Sequence, residues 1–243
     1  MKPLLVLAAF PVVFMGWASC SHSGTGHAAL PDPRAVDKSV PEYKNPFHPS
    51  TYAHFVARKD YRKTYDVYKD DTLLNRQPKK SRKIFVCLDE QRGQYLVDGL
   101  VAMDFPLSSG VKAYPTKTGD YTVISKKEDH ASNLYGKMYD AEGKCINYNA
   151  ESTDPIPEGG RFDGSPMPYW QRLTNAGVGL HVGKVRRHPV SHGCVRLPRN
   201  VAEILYRQTS IGTPVTIQKT PLPVPEAQKI PPAQQQESEG HKQ

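Results

Sequence analysis

Ser191-His192-Gly193-Cys194-Val195-Arg196 is the stretch on which the reading of this chain turns, together with His181, ten residues before the serine in the apolar run Val178-Gly179-Leu180. The thiolate is the attacking form of cysteine, and a free thiol titrates near about 8.5, so a neighbouring base or cation must help to form it. His181 and His192 are the imidazoles that can serve. Gly193 carries no side chain just before the sulfur, which lets backbone N–H groups approach a bound carbonyl and collect the charge developing on its oxygen. Nucleophile, base and oxyanion donors are thus available within a few residues. Two duller readings compete: an inert buried thiol at Cys194, and a zinc site of His181, His188, His192 and Cys194. The spacing of the second matches no defensible ligand pattern, and no further cysteine pair supports it.

Around this stretch the sequence reads as strands and turns. Ile84 to Leu88 is a buried strand, Gln91-Arg92-Gly93 a turn, Gln94 to Val97 its hairpin partner, Asp98-Gly99 a tight turn and Leu100 to Leu107 a third strand. Gly119 to Ile124, Val178 to Val182 and Pro214 to Ile217 add strands, and Val201 to Tyr206 is helix-like. The interval from Lys126 to Met167 is rich in Gly, Pro, Asp, Asn and Ser and is too long for a plain connection, which predicts a functional lid or a disordered loop.

The same residues resemble a known family. Ser191-His192-Gly193-Cys194, then an apolar residue and Arg196, with His181 on a preceding hydrophobic run, resembles the signature of the L,D-transpeptidase catalytic domain, a cysteine enzyme of bacterial peptidoglycan. Pro115-Thr116 with Thr118-Gly119-Asp120-Tyr121 resembles that family's turn and strand, and Met167-Pro168-Tyr169-Trp170 resembles the segment before its first histidine. The resemblance covers roughly residues 82 to 218. Two departures stand out: only Val182 to Val190 separate His181 from Ser191, which fits a short-spaced branch, and Lys117 stands where proline is usual.

The resemblance implies a mainly β fold, a β-sandwich of mixed strands with one short helix after the catalytic cysteine and a long lid-like loop. It implies Cys194 as nucleophile and His181 as its proton donor and acceptor, oriented by a backbone carbonyl such as that of Val182. His192, Gly193 and Ser191 become oxyanion and loop support, and Arg196 a partner for a substrate carboxylate or a brace for the loop. Tyr135-Gly136 and Pro166 to Trp170 become groove walls, with Tyr169 and Trp170 in contact with substrate or, equally, core filling under the loop. The implied reaction is acyl transfer on peptidoglycan stem peptides, with a second stem, a wall-attached lipoprotein or water as acceptor. No cofactor or metal is implied. A non-catalytic peptidoglycan-binding lipoprotein is the alternative from another class.

The rest of the chain sets the context. With 243 residues, 38% hydrophobic, the chain can bury the core of one ordinary domain but not of two. Residues 1 to 20 run from Met1-Lys2 through an apolar stretch to Ala18-Ser19-Cys20, the layout of an exported protein's signal peptide, of lipoprotein type if Cys20 is acylated. That predicts a protein of the periplasm or cell envelope, held to a membrane through an N-terminal lipid if Cys20 is acylated. Residues 21 to 49 read as a flexible linker, 50 to 81 as a short helical extension with Ser50 as an N-cap, and 219 to 243 as a disordered tail. Cys87 and Cys145 are left either to pair or to stay free. A net charge of +8 favours anionic partners, whereas export and the lack of zinc-finger, helix-turn-helix or RNP-like motifs argue against nucleic acid.

Overall fold

The computed structural model of the chain describes residues 32–77 and 81–229. Three strands form the expected meander: β2 (Arg82–Cys87), β3 (Arg92–Val97) and β4 (Leu100–Pro106) pair antiparallel in sequence order. Asp98 and Gly99, both at positive φ (51° and 79°), make the two-residue turn between β3 and β4, the geometry whose twist matches the flanking strands. β13 (Pro214–Gln218) joins β2 in parallel, β5 (Gly119–Thr122) pairs with β13, and β1 (Tyr68–Lys69) closes the far edge on β4. The order is β1-β4-β3-β2-β13-β5.

A second sheet runs β12 (Val195–Leu197), β11 (Gly179–Val182), β10 (Trp170–Arg172), β6 (Ser125–Lys127). Ile84, Val86, Tyr95, Phe105, Val215 and Ile217 from the first sheet meet Leu180, Val195 and Leu197 from the second. The helix α3 (Arg199–Gln208) adds Val201, Ala202 and Leu205 to the same core. The chain is therefore mainly β, with mixed strands and one helix soon after Cys194.

Three expectations need correction. The interval 126–167 is largely sheet: β7 (Ala131–Tyr139) pairs with β8 (Cys145–Glu151) and with β9 (Arg161–Pro166). Its residues misled because most of this small sheet faces solvent on both sides and so lacks a buried apolar alternation. Its glycines serve close strand crossing: a Cβ on Gly136 would stand 2.1 Å from the Asp163 carbonyl oxygen, and one on Gly164 would stand 1.9 Å from that of Ser132.

The second correction concerns the N-terminal side. α1 (Tyr52–Ala57) is capped by Thr51, whose hydroxyl accepts from the His54 N–H at 3.1 Å, one residue later than expected. α2 (Asp71–Asn75) is capped by Asp70, while Tyr68, expected on a helix, lies on β1. Residues 32–49 are anchored to the domain: Arg34 pairs with Glu90 at 3.0 Å, Lys38 Nζ donates to the Val56 carbonyl, and the Tyr43 hydroxyl donates to that of Ala57.

Third, the tail is ordered as far as the structure describes it. Gln228 closes a two-way bond with the backbone of Val101, accepting at 2.8 Å and donating at 2.9 Å. Cys87 and Cys145 are free thiols. The expected signal peptide, Cys20 and residues 230–243 lie outside the described residues.

Candidate active site

Strands β11 and β12 run parallel, with Leu180 opposite Val195, His181 opposite Arg196 and Val182 opposite Leu197. Side chains alternate between the faces of a strand. Leu180, Val195 and Leu197 are buried in the core, so His181 and Arg196 take the other face, and Cys194, two residues before Arg196, shares it. All three line one cavity of about 900 Å³, together with Ser191, His192 and Trp170.

His181 is held firmly. Its Nδ1 lies 2.7 Å from the Val182 carbonyl oxygen, which only accepts, so Nδ1 carries the proton and Nε2 presents a lone pair. Burial lowers its pKa to about 4; the Val182 bond works against the shift, and the charges of Arg196 and His130 add to it. Burial also pushes the Cys194 thiol up, opposed by a hydrogen bond from the Gly179 N–H and by the Arg196 charge. The resting pair is therefore thiol and neutral imidazole across the neutral range.

The loop before the sulfur is fixed by bonds from another strand end. Val190 and Ser191 donate their N–H groups to the Ser109 carbonyl, and the Val111 N–H donates to that of Ser191. Thr116 bridges the two segments: its hydroxyl donates to the Gly193 carbonyl and accepts from the Gly110 N–H, both at 2.8 Å. A Cβ on Gly110 would lie 2.8 Å from Gly193 Cα, so only glycine permits this approach. Gly193 itself sits at φ 103°, a conformation that other residues rarely adopt. The Ser191 hydroxyl donates to the Cys194 carbonyl, a turn-shaping role. No described residue accepts from the backbone N–H of His192, Gly193 or Cys194, which leaves these donors for a ligand oxygen beside the sulfur.

The remaining candidates divide. Arg196 is half-buried, and among the described residues no acceptor pairs with its guanidinium. His192 turns its ring outward, stacked on Tyr135 at 4.3 Å between centroids and tilted against Tyr114 at 4.7 Å. Trp170 lines the cavity, its ring 5.8 Å from His181 and 5.0 Å from His130. Tyr169 is not brought to the cavity; at φ 56° it packs on Tyr206, 5.6 Å away. Of the groove walls expected from the sequence, Tyr135, Gly136, Pro166 and Met167 do line it. His188 is exposed and away from it. Thr116 is a residue that sequence reasoning quoted without assigning a role, since nothing in the sequence couples position 116 to 193.

Comparison with known proteins shows the family of the chain. A family model for the L,D-transpeptidase catalytic domain (YkuD) matches residues 81–217. The protein named "Probable L,D-transpeptidase 3" of Mycobacterium tuberculosis is 31% identical over 121 residues, 47% of this chain and 38% of that one. Among solved structures, an L,D-transpeptidase from Mycobacterium smegmatis aligns with a TM-score of 0.44 and 23% identity, covering 56% of this chain and 58% of its own. One from Stackebrandtia nassauensis aligns with a TM-score of 0.43 and 21% identity, covering 72% and 68%. The chain thus matches well under half the length of the curated relative.

Proposed function

The chain belongs to the L,D-transpeptidase catalytic-domain family, and from that premise we propose that it is a cysteine acyltransferase acting on peptidoglycan stem tetrapeptides. One observation carries the reading: Cys194, immediately before β12, and His181, on the parallel neighbour β11, open into one cavity. His181 Nε2 takes the thiol proton as the sulfur attacks the carbonyl that joins the diamino acid at stem position three to the terminal D-alanine. The backbone N–H groups of His192, Gly193 and Cys194 hold the oxyanion. When the C–N bond breaks, His181 returns the proton to the leaving D-alanine amine, and a thioester on Cys194 remains. A second stem, a lysine of a wall-attached lipoprotein or water then accepts the acyl group.

In this reading Arg196 meets a substrate carboxylate and Trp170 walls the groove, while Ser191 supports the loop. Residues 82 to 218 are the catalytic domain, and residues 50 to 81 are an N-terminal extension. The pattern from Met1 to Cys20 supports export to the periplasm or cell envelope with a lipid on Cys20.

The test is incubation of purified disaccharide-tetrapeptide with the protein, followed by mass spectrometry. Loss of D-alanine with an acyl adduct on Cys194, absent from Cys194→Ala, is the expected result. Binding to peptidoglycan with no adduct and no product would leave the wall-binding lipoprotein instead.

A further inference from the structure

Three imidazoles line the cavity among the described residues: His181, His192 and His130. His181 serves the sulfur, and His192 is stacked on Tyr135. His130, directly before β7, has no part in either arrangement. Backbone bonds fix its place: the Tyr169 N–H donates to the Glu128 carbonyl and the Met167 N–H to that of His130, both at 2.7 Å, in continuation of the β6–β10 pairing. In that pairing Trp170 opposes Lys127. Between β10 and β11, Gln171 opposes Leu180, so the next pair in the same register is Trp170 with His181. The Trp170 ring thus meets two imidazoles, His130 at 5.0 Å and His181 at 5.8 Å between centroids.

His130 is half-buried, and neither of its ring nitrogens has a hydrogen-bond partner among the described residues. Burial first, then the charges of Lys127 on β6 and Arg172 on β10, lower its pKa, and neither Glu128 nor Asp129 beside it in the chain offsets them. His181, on β11, is itself neutral across the neutral range. No Asp or Glu lines the cavity among the described residues. His130 is therefore a neutral imidazole with a free lone pair in a cavity that holds no carboxylate base.

Acyl transfer to an amine leaves one proton over. In water near neutral pH the acceptor is an ammonium, and its nitrogen loses two protons on becoming an amide N–H. One passes through His181 to the Cys194 sulfur as the C–N bond forms and the C–S bond breaks. The other needs a second base, because His181 must hand on the proton it takes. We propose that His130 is that base: it takes the first proton from the incoming ammonium, frees the amine to attack the thioester, and gives the proton up to solvent. Lys127, Arg172, Lys184 and Arg196 around the cavity favour the same transfer, since they disfavour an ammonium among them. Water reaches the thioester uncharged, so hydrolysis does not call on His130. This proposal rests on the acyl-transfer reading of the same site and adds a catalytic residue to it.

The experiment loads Cys194 with the tetrapeptide acyl group and follows its release by mass with two acceptors. One is isotope-labelled D-alanine, which can return along the path on which D-alanine left; the other is hydroxylamine, a free amine at neutral pH. His130→Gln should slow release to D-alanine about 10²-fold relative to release to hydroxylamine, the lower end of what a general base contributes. Products should accordingly shift from exchange to hydrolysis. In the unaltered protein the D-alanine rate should be level across neutral pH, where the acceptor is an ammonium and His130 is neutral. A rate that climbs about tenfold per pH unit there means that solvent frees the amine, and overturns the proposal whether or not His130→Gln folds. Equal loss with both acceptors in His130→Gln, or no loss with either, also overturns it while leaving the acyl-enzyme intact. Failure to load Cys194 at all overturns the functional reading and this proposal together.

Discussion

Asp104 and Arg196 are both charged side chains drawn back from water, and the protein treats them in opposite ways. Asp104, fully buried on β4, accepts from Arg92 Nε at 2.5 Å and from the hydroxyls of Tyr52 and Tyr61 at 2.8 Å each. Arg92 completes its own set on the carbonyls of Thr64 and Asp66 and lies over the rings of Phe55 and Tyr61. That network ties the N-terminal extension to the sheet. Arg196 and the N–H groups before Cys194, by contrast, find no protein partner among the described residues. Buried polar groups are normally satisfied, so a satisfied cluster reads as architecture and an unsatisfied one as a place kept for a ligand.

Substitutions on the two sides should therefore fail differently. Cys194→Ala should lower acyl transfer by at least about 10⁴-fold in a tetrapeptide assay, with its melting temperature little changed. Asp104→Ala should cost about 3–5 kcal/mol by stranding Arg92, a fall of roughly 10 °C in calorimetry. Replacing both partners, Asp104→Leu with Arg92→Met, should cost less than either alone. A loss of activity in the folded Asp104 variant larger than its loss of stability would break the comparison.

His181 joins the two sides through pH. Its pKa of about 4 when folded, against about 6.5 when unfolded, means that the unfolded chain binds the extra proton between those values. Stability therefore falls as pH drops from 6.5 to 4, by roughly 3 kcal/mol in all, and His181→Gln should remove that slope in denaturant titrations. The acid limb of activity should lie near pH 4, well below the range of an ordinary histidine, and a limb at pH 6.5 would contradict the buried neutral base. Arg196→Gln should reduce kcat/KM about tenfold or more without lowering the melting temperature. Thr116→Val should have the smallest effect, about 1 kcal/mol of loop positioning, read as a lower kcat with little change in KM.

Much of this was legible from the chain. The meander from 82 to 106 announced itself through β-branched runs and the Asp98-Gly99 turn, and the helix after Leu197 through its apolar period. The sheet of β7, β8 and β9 was not legible, because a sheet wetted on both faces leaves no alternation to read and its crossing glycines mimic loop composition. Trp170 and Tyr169 were indistinguishable as neighbours in sequence; the positive φ at Tyr169 turns its ring onto Tyr206, while Trp170 enters the cavity. Short strands such as β1 and β12 carry too few residues for a period and exist because their partners are in place.

The sequence alone pointed to the family, to Cys194 and His181 as candidates, and to the glycine before the sulfur, since chemistry confined to a few adjacent residues is written locally. Only the tertiary structure decided which polar groups are satisfied, which strand register aligns Arg196, His181, Trp170 and Lys127, and how Thr116 meets Gly193. Those outcomes depend on segments far apart in the chain arriving at one surface, and packing of the core between the two sheets, not local preference, sets where they meet.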